Sequence, residues 1–264
     1  MATYLLKKSY QLKDFKEIKF HDLWGDHGIF TTMWIFGKPA KILFFEKHLK
    51  NLISSLKKFQ IKKKSLNVDI SEIINKNLSK KIKYNHLLRV AVSKKILSIS
   101  LRKRKRPKSN FNLKLVKLKR EKPEFKNLKY KKILSFLSKM DNTQSDIALV
   151  SNKKLLETGT SNLLFVKNQK FFTPKKDYYE GNTYKYFKTK IKRITKKDIL
   201  LNEIHDYDEI LLLGSGKGVT SVRTINEIRW KRKNLKKFKI LSKLYDDAIK
   251  RCSNYQFYKN ERSK

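Results

Sequence analysis

Alternating apolar and polar positions predict strands in the first third of the chain, and a helical period predicts the helices that follow them. Strands are expected at 29–36 and 40–44, joined by a turn at 37–39 that contains Gly37 and Pro39. Apolar residues then recur at helical spacing over 45–59, with lysines on the opposite face. A second helix is expected to begin at Asp69, where an acidic first turn complements the helix dipole.

The same patterns continue to the end of the chain without an internal repeat. Further strands are predicted at 86–92, 95–101, 111–118, 147–150, 163–166, 169–172, 209–213 and 219–225. Helices are predicted after Lys129 and through Met140, after Gly181 and over 235–251. The polar segment 119–127, which contains Pro123, has the composition of an interdomain linker. We therefore predict an α+β fold with a small N-terminal domain at 1–118 and a larger C-terminal domain at 128–264.

Composition shows a folded but very basic protein. Apolar residues make up 39% and aromatic residues 12% of the 264 positions, enough for a real core. The net charge is +42, from 65 basic and 23 acidic residues, and such an excess suggests a polyanion partner. However, the lysines are spread over nearly every segment, and Asn and Ile are also abundant, as an AT-rich coding sequence would produce. We therefore favour a solvated lysine surface over a nucleic-acid partner.

The cysteine and histidine content argues against a disulfide or a metal site. Cys252 is the single cysteine, so no disulfide can form within the chain and no cysteine cluster can bind zinc. The five histidines show no metal-ligand spacing. The chain contains neither a signal-like segment nor an apolar run long enough to cross a bilayer. We therefore expect a cytoplasmic protein without a membrane partner.

The segment 157–165 carries the most informative motif. It runs from Glu157 through a Thr-Gly-Thr stretch to Ser161 and Asn162, and then into an apolar strand. This order resembles the signature of the class IV aminotransferases, which are fold-type IV enzymes that use pyridoxal 5'-phosphate (PLP). The resemblance implies that Glu157 keeps the pyridine nitrogen of PLP protonated, so that the ring remains an electron sink. It also implies a two-domain fold like that of D-amino-acid aminotransferase.

Four further segments extend the resemblance over roughly residues 22–225. Segment 25–32 resembles the family's Gly-Asp-Gly-x-Phe-Thr-Thr strand, and 45–52 its Glu-His-Leu-x-Arg-Leu helix. The first implies a catalytic role for Thr32 on a strand that lines the substrate pocket. Segments 181–183 and 213–222 resemble the family's phosphate-binding turns. They imply that the backbone of Asn182 and Thr183 binds the phosphate, with Ser215 and Gly216 as a second contact.

The resemblance also requires a lysine that attaches PLP covalently. Many members carry this lysine a few residues before an Asn-Tyr-Leu or Asn-Arg-Leu motif, at the start of a helix. Lys129 stands upstream of Glu157 at the expected place, with Lys132 in the Asn position. We therefore predict Lys129 as both the catalytic and the cofactor-binding lysine. One departure is Asn51, which replaces an arginine that often contacts the phosphate.

The glycines at 214–218 do not form a nucleotide-binding loop. The residue six positions before Lys217 is Leu211 rather than Gly, and Gly218 follows where Ser or Thr is required. The basic run 102–106 could bind nucleic acid or a membrane surface, but a run of this kind between two strands is more often a solvated loop.

Several functions remain open within this reading. The Phe30-Thr31-Thr32 stretch and the short chain look most like a 4-amino-4-deoxychorismate lyase, which releases pyruvate and 4-aminobenzoate for folate synthesis. Branched-chain and D-amino-acid aminotransferases are the alternatives, although they usually carry an acidic residue near the second threonine. The resemblance implies a small amino substrate and a homodimer. A non-catalytic descendant of the fold and a basic nucleic-acid-binding protein are two further alternatives.

Overall fold

A computed structural model of the chain describes residues 3–255. These residues form two compact units, 3–104 together with 251–255, and 105–250. Residues 1–2 and 256–264, which the predicted domains include, lie outside the described residues. Both units combine sheets with helices, so the predicted α+β class is confirmed.

The first unit contains a six-stranded antiparallel sheet in the order β2-β1-β6-β5-β3-β4. The strands are β1 (Tyr4–Gln11), β2 (Glu17–Ile18), β3 (Gly28–Gly37), β4 (Lys41–Ile42), β5 (Tyr84–Ser93) and β6 (Ile96–Lys103). Two helices follow β4, α1 (Phe45–Lys58) and α2 (Leu66–Asn77). The strand predicted at 40–44 is only two residues long, because Phe44 adopts a left-handed conformation (φ 58°) from which α1 begins.

Helix α1 packs on the sheet through the apolar face that its sequence predicts. His48, Leu49, Leu52 and Leu56 are buried and recur at helical spacing. Strand β1 was not predicted, because its exposed positions include Tyr4 and Leu5 and its burial does not alternate. Pairing with β6 over most of its length defines it as a strand.

The second unit contains a ten-stranded mixed sheet. Its strands are β7 (Asn110–Lys117), β8 (Ser145–Ser151), β9 (Lys154–Thr158), β10 (Asn162–Lys167), β11 (Lys170–Pro174), β12 (Ile194–Lys197), β13 (Ile199–Leu200), β14 (Glu209–Gly214), β15 (Gly218–Ile225) and β16 (Trp230–Lys231). Nine strands follow the order β12-β11-β10-β14-β15-β7-β8-β9-β13, and β16 pairs with β15. The helices are α3 (Lys131–Leu137), α4 (Asn182–Lys188) and α5 (Lys236–Lys250).

Large aromatic side chains form the centre of the second unit's core. Phe111, Phe165, Tyr207 and Trp230 belong to one buried cluster, and each is at most 1% exposed. The indole Nε1 of Trp230 donates to the Tyr207 carbonyl oxygen at 3.2 Å, so its polar atom is satisfied inside the core.

Strand β7 belongs to the second unit, although the sequence placed 111–118 in the first domain. It pairs in parallel with β15 and β8, and Phe111 is fully buried in the second unit's core. The two units divide between Arg104 and Lys105. The polar segment 119–127 therefore lies inside the second unit, where Arg120 and Asn127 are buried.

None of the helices within residues 3–255 has the length and apolar composition that crossing a bilayer requires.

Candidate active site

Asn162, the first residue of β10, joins three segments of the second unit. Its Oδ1 accepts a hydrogen bond from the Gly181 amide at 3.0 Å, and its Nδ2 donates to the Tyr179 carbonyl oxygen at 2.5 Å. Its backbone pairs with Leu213 at the end of β14. A Cβ at Gly214 would lie 2.8 Å from Ser161 Oγ, so glycine is needed for this close approach. Segments 157–162, 179–183 and 213–216 therefore converge.

Two of these segments contain the four predicted phosphate contacts. Asn182 and Thr183 are buried in the first turn of α4, where backbone amides lack intrahelical acceptors. Ser215 and Gly216 are half-buried in the turn between β14 and β15. The hydroxyls of Thr183 and Ser161 are buried without a hydrogen-bond partner in residues 3–255. Orphaned hydroxyls are costly unless a ligand satisfies them, so this region suits a polar, anionic group.

Glu157, in the first of the three converging segments, forms a buried ion pair. Its Oε1 accepts from Arg120 Nε at 2.6 Å, and its Oε2 accepts from the Tyr179 amide at 3.3 Å. The Arg120 side chain is 3% exposed and that of Glu157 is 8% exposed. Burial raises the pKa of Glu157, and the Arg120 guanidinium opposes this shift. Tyr179 thus connects the carboxylate to Asn162 and the phosphate-binding turn.

Arg120 also shapes the loop that follows it. Its Nη1 donates to the Phe125 carbonyl oxygen at 2.8 Å, and its Nη2 donates to the Pro123 carbonyl oxygen. The loop therefore folds back around the guanidinium and places Lys126 near the ion pair.

Lys126, rather than Lys129, shares this environment. Lys126 Nζ lies 5.8 Å from the centre of the Tyr179 ring. Burial and the neighbouring Arg120 charge lower the pKa of Lys126 to about 8, whereas the Glu157 carboxylate raises it. Lys129 is exposed, and its backbone amide donates to Asn127 Oδ1 at 3.1 Å. The structure therefore brings Lys126 and Glu157 together and leaves the predicted Lys129 outside the cluster.

A sequence signal for Lys126 was present. Counting from Lys126, Lys129 and Tyr130 occupy the Asn-Tyr positions of the family motif. Tyr130 is buried and donates its hydroxyl to the Gly159 carbonyl oxygen. Desolvation raises the pKa of Tyr130, so it is a neutral donor at physiological pH.

A buried polar network forms hydrogen bonds with the turn at 158–161. Asp146 is fully buried, and its Oδ2 accepts from the hydroxyls of Thr158 and Thr160, each at 2.8 Å. Lys217 forms an ion pair with Asp146 and donates to Thr160 Oγ1 at 2.8 Å. Burial lowers the pKa of Lys217, and Asp146 opposes that shift. The network holds the Thr158–Ser161 turn against the loop that carries Ser215 and Gly216.

Thr32 lies in the first unit, on β3. Its neighbour Thr31 is buried and shares a hydrogen bond of 2.7 Å with His48 Nδ1 of α1. Alternation places Thr32 on the opposite face of the strand, where it is half-buried and pairs with Arg89 of β5. Thr32 is therefore the threonine whose side chain lies away from α1.

Arg89 is a residue that the sequence analysis missed. Its guanidinium lies 4.1 Å from the centre of the Trp24 ring, and its Nη2 donates to the Asp22 carbonyl oxygen. Its Nε is buried without a hydrogen-bond partner among the described residues. Burial lowers the pKa of Arg89 to about 10, so the side chain remains a cation at neutral pH. A desolvated guanidinium beside a threonine hydroxyl can bind a carboxylate.

Comparison with known families gives one extended match. The pattern of the family described as amino-transferase class IV matches residues 28–225, which include Thr32, Arg89, Lys126 and Glu157. A comparison with curated proteins gives no match.

Solved structures share the fold at low sequence identity. A branched-chain aminotransferase from the archaeon Thermoproteus uzoniensis, solved with norvaline, has a TM-score of 0.73 at 14% identity over 92% of this chain and 93% of that chain. A hypothetical aminotransferase from Mycobacterium tuberculosis, in its PLP-bound form, has a TM-score of 0.71 at 16% identity over 92% and 99%. A candidate 4-amino-4-deoxychorismate lyase from Legionella pneumophila has a TM-score of 0.68 at 17% identity over 84% and 91%. At these identities the likeness establishes the fold-type IV architecture.

Proposed function

Since this chain belongs to the amino-transferase class IV family, a family of PLP-dependent enzymes, we propose that it is a 4-amino-4-deoxychorismate lyase. The reaction would form 4-aminobenzoate and pyruvate for folate synthesis. The observation that supports a catalytic site is the half-buried Lys126 near the buried ion pair of Glu157 and Arg120. The Lys126 amine, whose pKa is lowered, lies near the Glu157 carboxylate, whose charge is balanced by Arg120.

The described side chains fit PLP at both ends of the site. Glu157 would bind the pyridine nitrogen, and Lys126 would attach the cofactor covalently. The amides of Asn182 and Thr183, together with Ser215 and Gly216, would bind the phosphate. The orphaned Thr183 hydroxyl supports this assignment independently of the family resemblance. When bound, PLP supplies the electron sink of the reaction.

The chain's own residues would orient groups and move protons. Burial raises the pKa of Glu157, whereas Arg120 favours its ionised form, in which Glu157 would hold a proton on the pyridine nitrogen. Lys126 Nζ would accept a proton from the substrate's reacting carbon, and a pKa of about 8 leaves part of the amine neutral at physiological pH. In the first unit, Thr32 remains a predicted catalytic residue, and Arg89 is its cross-strand neighbour.

A branched-chain or D-amino-acid aminotransferase is the second candidate. The Thermoproteus and other branched-chain enzymes among the structural neighbours favour it. The 30–32 stretch favours the lyase, and so does the Legionella neighbour. The two activities differ in product, because only the lyase releases 4-aminobenzoate without an acceptor 2-oxo acid.

The decisive variants are Lys126→Ala and Lys129→Ala, which remove the same group three residues apart. We expect Lys126→Ala to lose both the visible PLP absorbance and borohydride-stable attachment of PLP, and activity to fall by about 1,000-fold or more. Lys129→Ala is the matched control and should keep the visible absorbance, the borohydride-stable attachment and the activity. The reverse pattern would restore Lys129 as the attachment site and overturn the assignment to Lys126.

Product analysis then separates the candidates. Wild-type protein loaded with PLP is incubated with 4-amino-4-deoxychorismate, and separately with branched-chain and D-amino acids plus 2-oxoglutarate. We expect 4-aminobenzoate and pyruvate in equal amounts from the first mixture. Glutamate formation without 4-aminobenzoate would assign an aminotransferase, and failure to retain PLP in any form would assign a non-catalytic descendant.

We also propose an oligomeric state and a cellular compartment for this protein. Family members are generally dimeric, so we propose a homodimer with twice the mass of the 31.5 kDa chain. Its single cysteine suits a reducing compartment, and we propose the cytoplasm.

A further inference from the structure

The second unit contains a cavity of about 690 Å³ whose lining is strongly basic. It lies where the segment before β7 passes the start of β15, with Phe238 of α5 on one side. Cavities of this size bind small molecules of nucleotide or drug size. The proposed PLP contacts at 157, 182–183 and 215–216 are absent from its lining.

Positive charge dominates the lining, although Lys108 interacts electrostatically with Asp141 outside it. Arg106, Lys108 and Arg223 line the cavity, and none of the three forms an ion pair within residues 3–255. Lys217 also lines it, but its charge is balanced by Asp146. The described lining includes neither Asp nor Glu. Three cations facing one space repel each other until an anion enters.

The carbonyl oxygens of the amide side chains in the lining are already engaged in hydrogen bonds. Gln144 Oε1 accepts from Lys108 Nζ at 2.7 Å, and Asn110 Oδ1 accepts from Arg232 Nη1 at 2.9 Å. Asn112 Oδ1 accepts from the Thr224 hydroxyl at 2.9 Å. In each case the carbonyl oxygen is engaged, so the NH₂ group remains as a donor toward a ligand.

Thr220 supplies an independent indication of a ligand. It lines the cavity and is 2% exposed, and its Oγ1 has no hydrogen-bond partner among the described residues. A buried hydroxyl without a partner is costly, and a ligand oxygen would satisfy it.

We propose that this cavity is a binding site for the oligophosphate group of a small molecule, such as a nucleoside triphosphate. Three separated cations match several phosphate groups better than one carboxylate, because each guanidinium or ammonium can bind its own oxygens. The amide donors and the Thr220 hydroxyl add neutral hydrogen bonds that surface electrostatics alone would not provide. This site is separate from the proposed cofactor site and does not depend on the lyase activity.

The test is a calorimetric titration of the PLP-loaded chain with inorganic triphosphate at about 150 mM salt, where exposed charges are largely screened. We expect one triphosphate per chain. Arg106→Gln combined with Lys108→Gln should weaken binding by about tenfold or more. Thr220→Val, which changes no charge, should weaken it by about threefold or more. A nucleoside triphosphate should compete with triphosphate for the same site.

The matched control combines Lys192→Gln with Arg193→Gln, which removes the same charges from exposed positions outside the cavity. If this control weakened triphosphate binding as much as the cavity variant does, net charge alone would explain the loss, and the proposal would be wrong. Unchanged affinity in Thr220→Val would also contradict the proposal. Release of PLP in step with binding would mean that triphosphate enters the cofactor site instead. Tighter binding of a single-stranded oligonucleotide, lost in the same cavity variants, would assign the cavity to nucleic acid and also overturn it.

Discussion

At the scale of single residues, function depends on which of many similar lysines is desolvated. The chain has 65 basic residues, and burial lowers the pKa of Lys126, near Glu157, to about 8. Lys129, three positions later, is exposed to water. A lysine becomes a nucleophile only when part of it is neutral, so environment rather than residue type selects the reactive amine.

The pH dependence of PLP attachment should follow the Lys126 amine. The rate at fixed PLP should rise about tenfold per pH unit below the pKa and level off above about pH 8, whereas an ordinary lysine would keep rising toward about pH 10.4. Absorbance-monitored mixing from pH 6 to 10 measures this profile. In Glu157→Gln the midpoint should move to lower pH, because the carboxylate raises the pKa of Lys126. A wild-type midpoint above pH 10 would contradict the assignment.

The Lys217–Asp146 pair makes a second residue-scale prediction. Lys217→Met leaves the fully buried Asp146 carboxylate without its counter-charge and should lower the free energy of unfolding by about 3 kcal/mol. Lys167→Met is the control, because the Lys167–Asp206 pair is 40% and 53% exposed and should contribute less than about 1 kcal/mol. Urea denaturation compares the two variants. Equal losses would mean that burial does not control the strength of this pair.

At the scale of elements, the two units are defined by strand pairing rather than by the polarity of the connecting chain. Strand β7 follows a basic loop and precedes a polar segment, so local composition alone made 119–127 look like a linker. Pairing with β15 and β8 instead buries Phe111 and Leu113 in the second unit's core. That core provides the rigid support on which the Glu157–Asn162 segment lies.

Helix α5 depends on a glycine at the start of β15. Gly218 has φ +72°, and a Cβ there would lie 2.7 Å from the Tyr245 ring of α5. Gly218→Ala should therefore destabilise the protein by about 1–3 kcal/mol through backbone strain and displacement of the helix. Chemical denaturation measures the loss, and adding Tyr245→Leu should recover the steric part. A single variant within 0.5 kcal/mol of wild type would refute this packing argument.

At the scale of the whole molecule, positive charge exceeds what the ion pairs can compensate. The net charge is +42, whereas most ion pairs of the described residues, such as Lys8–Glu17 and Lys167–Asp206, are largely exposed. Exposed pairs contribute little, and the self-repulsion of so many cations destabilises the compact state.

Added salt should therefore stabilise this protein. Raising NaCl from 10 mM to 0.5 M shortens the Debye length from about 30 Å to a few ångströms, which screens the repulsion more than it weakens the few exposed pairs. The urea midpoint should rise monotonically with salt, and choline chloride at equal ionic strength should raise it by the same amount. A falling midpoint would mean that attractive surface pairs outweigh the net charge.

The sequence by itself determined the features that depend on local periodicity and on motif order. The apolar stripe of α1, the strand at 29–36 and the α+β class are encoded in neighbouring residues and are confirmed. The family was also accessible, because the order and spacing of its motifs survive where single positions change. Asn182, Thr183, Ser215 and Gly216 remain predicted phosphate contacts, and the fold brings their two segments together around Asn162 and Ser161.

Only the tertiary structure decided the features that depend on contacts distant in sequence. It brought Lys126, the lysine that we propose as the reactive one, near Glu157, 31 positions later, and it placed Thr32 opposite Arg89 of another strand. It also assigned β7 to the second unit and brought together the cations of the oligophosphate cavity from two separate segments, the loop before β7 and β15. The reason is physical. Desolvation and strand pairing are properties of the folded surroundings, and lysines that look equivalent along the chain differ only there.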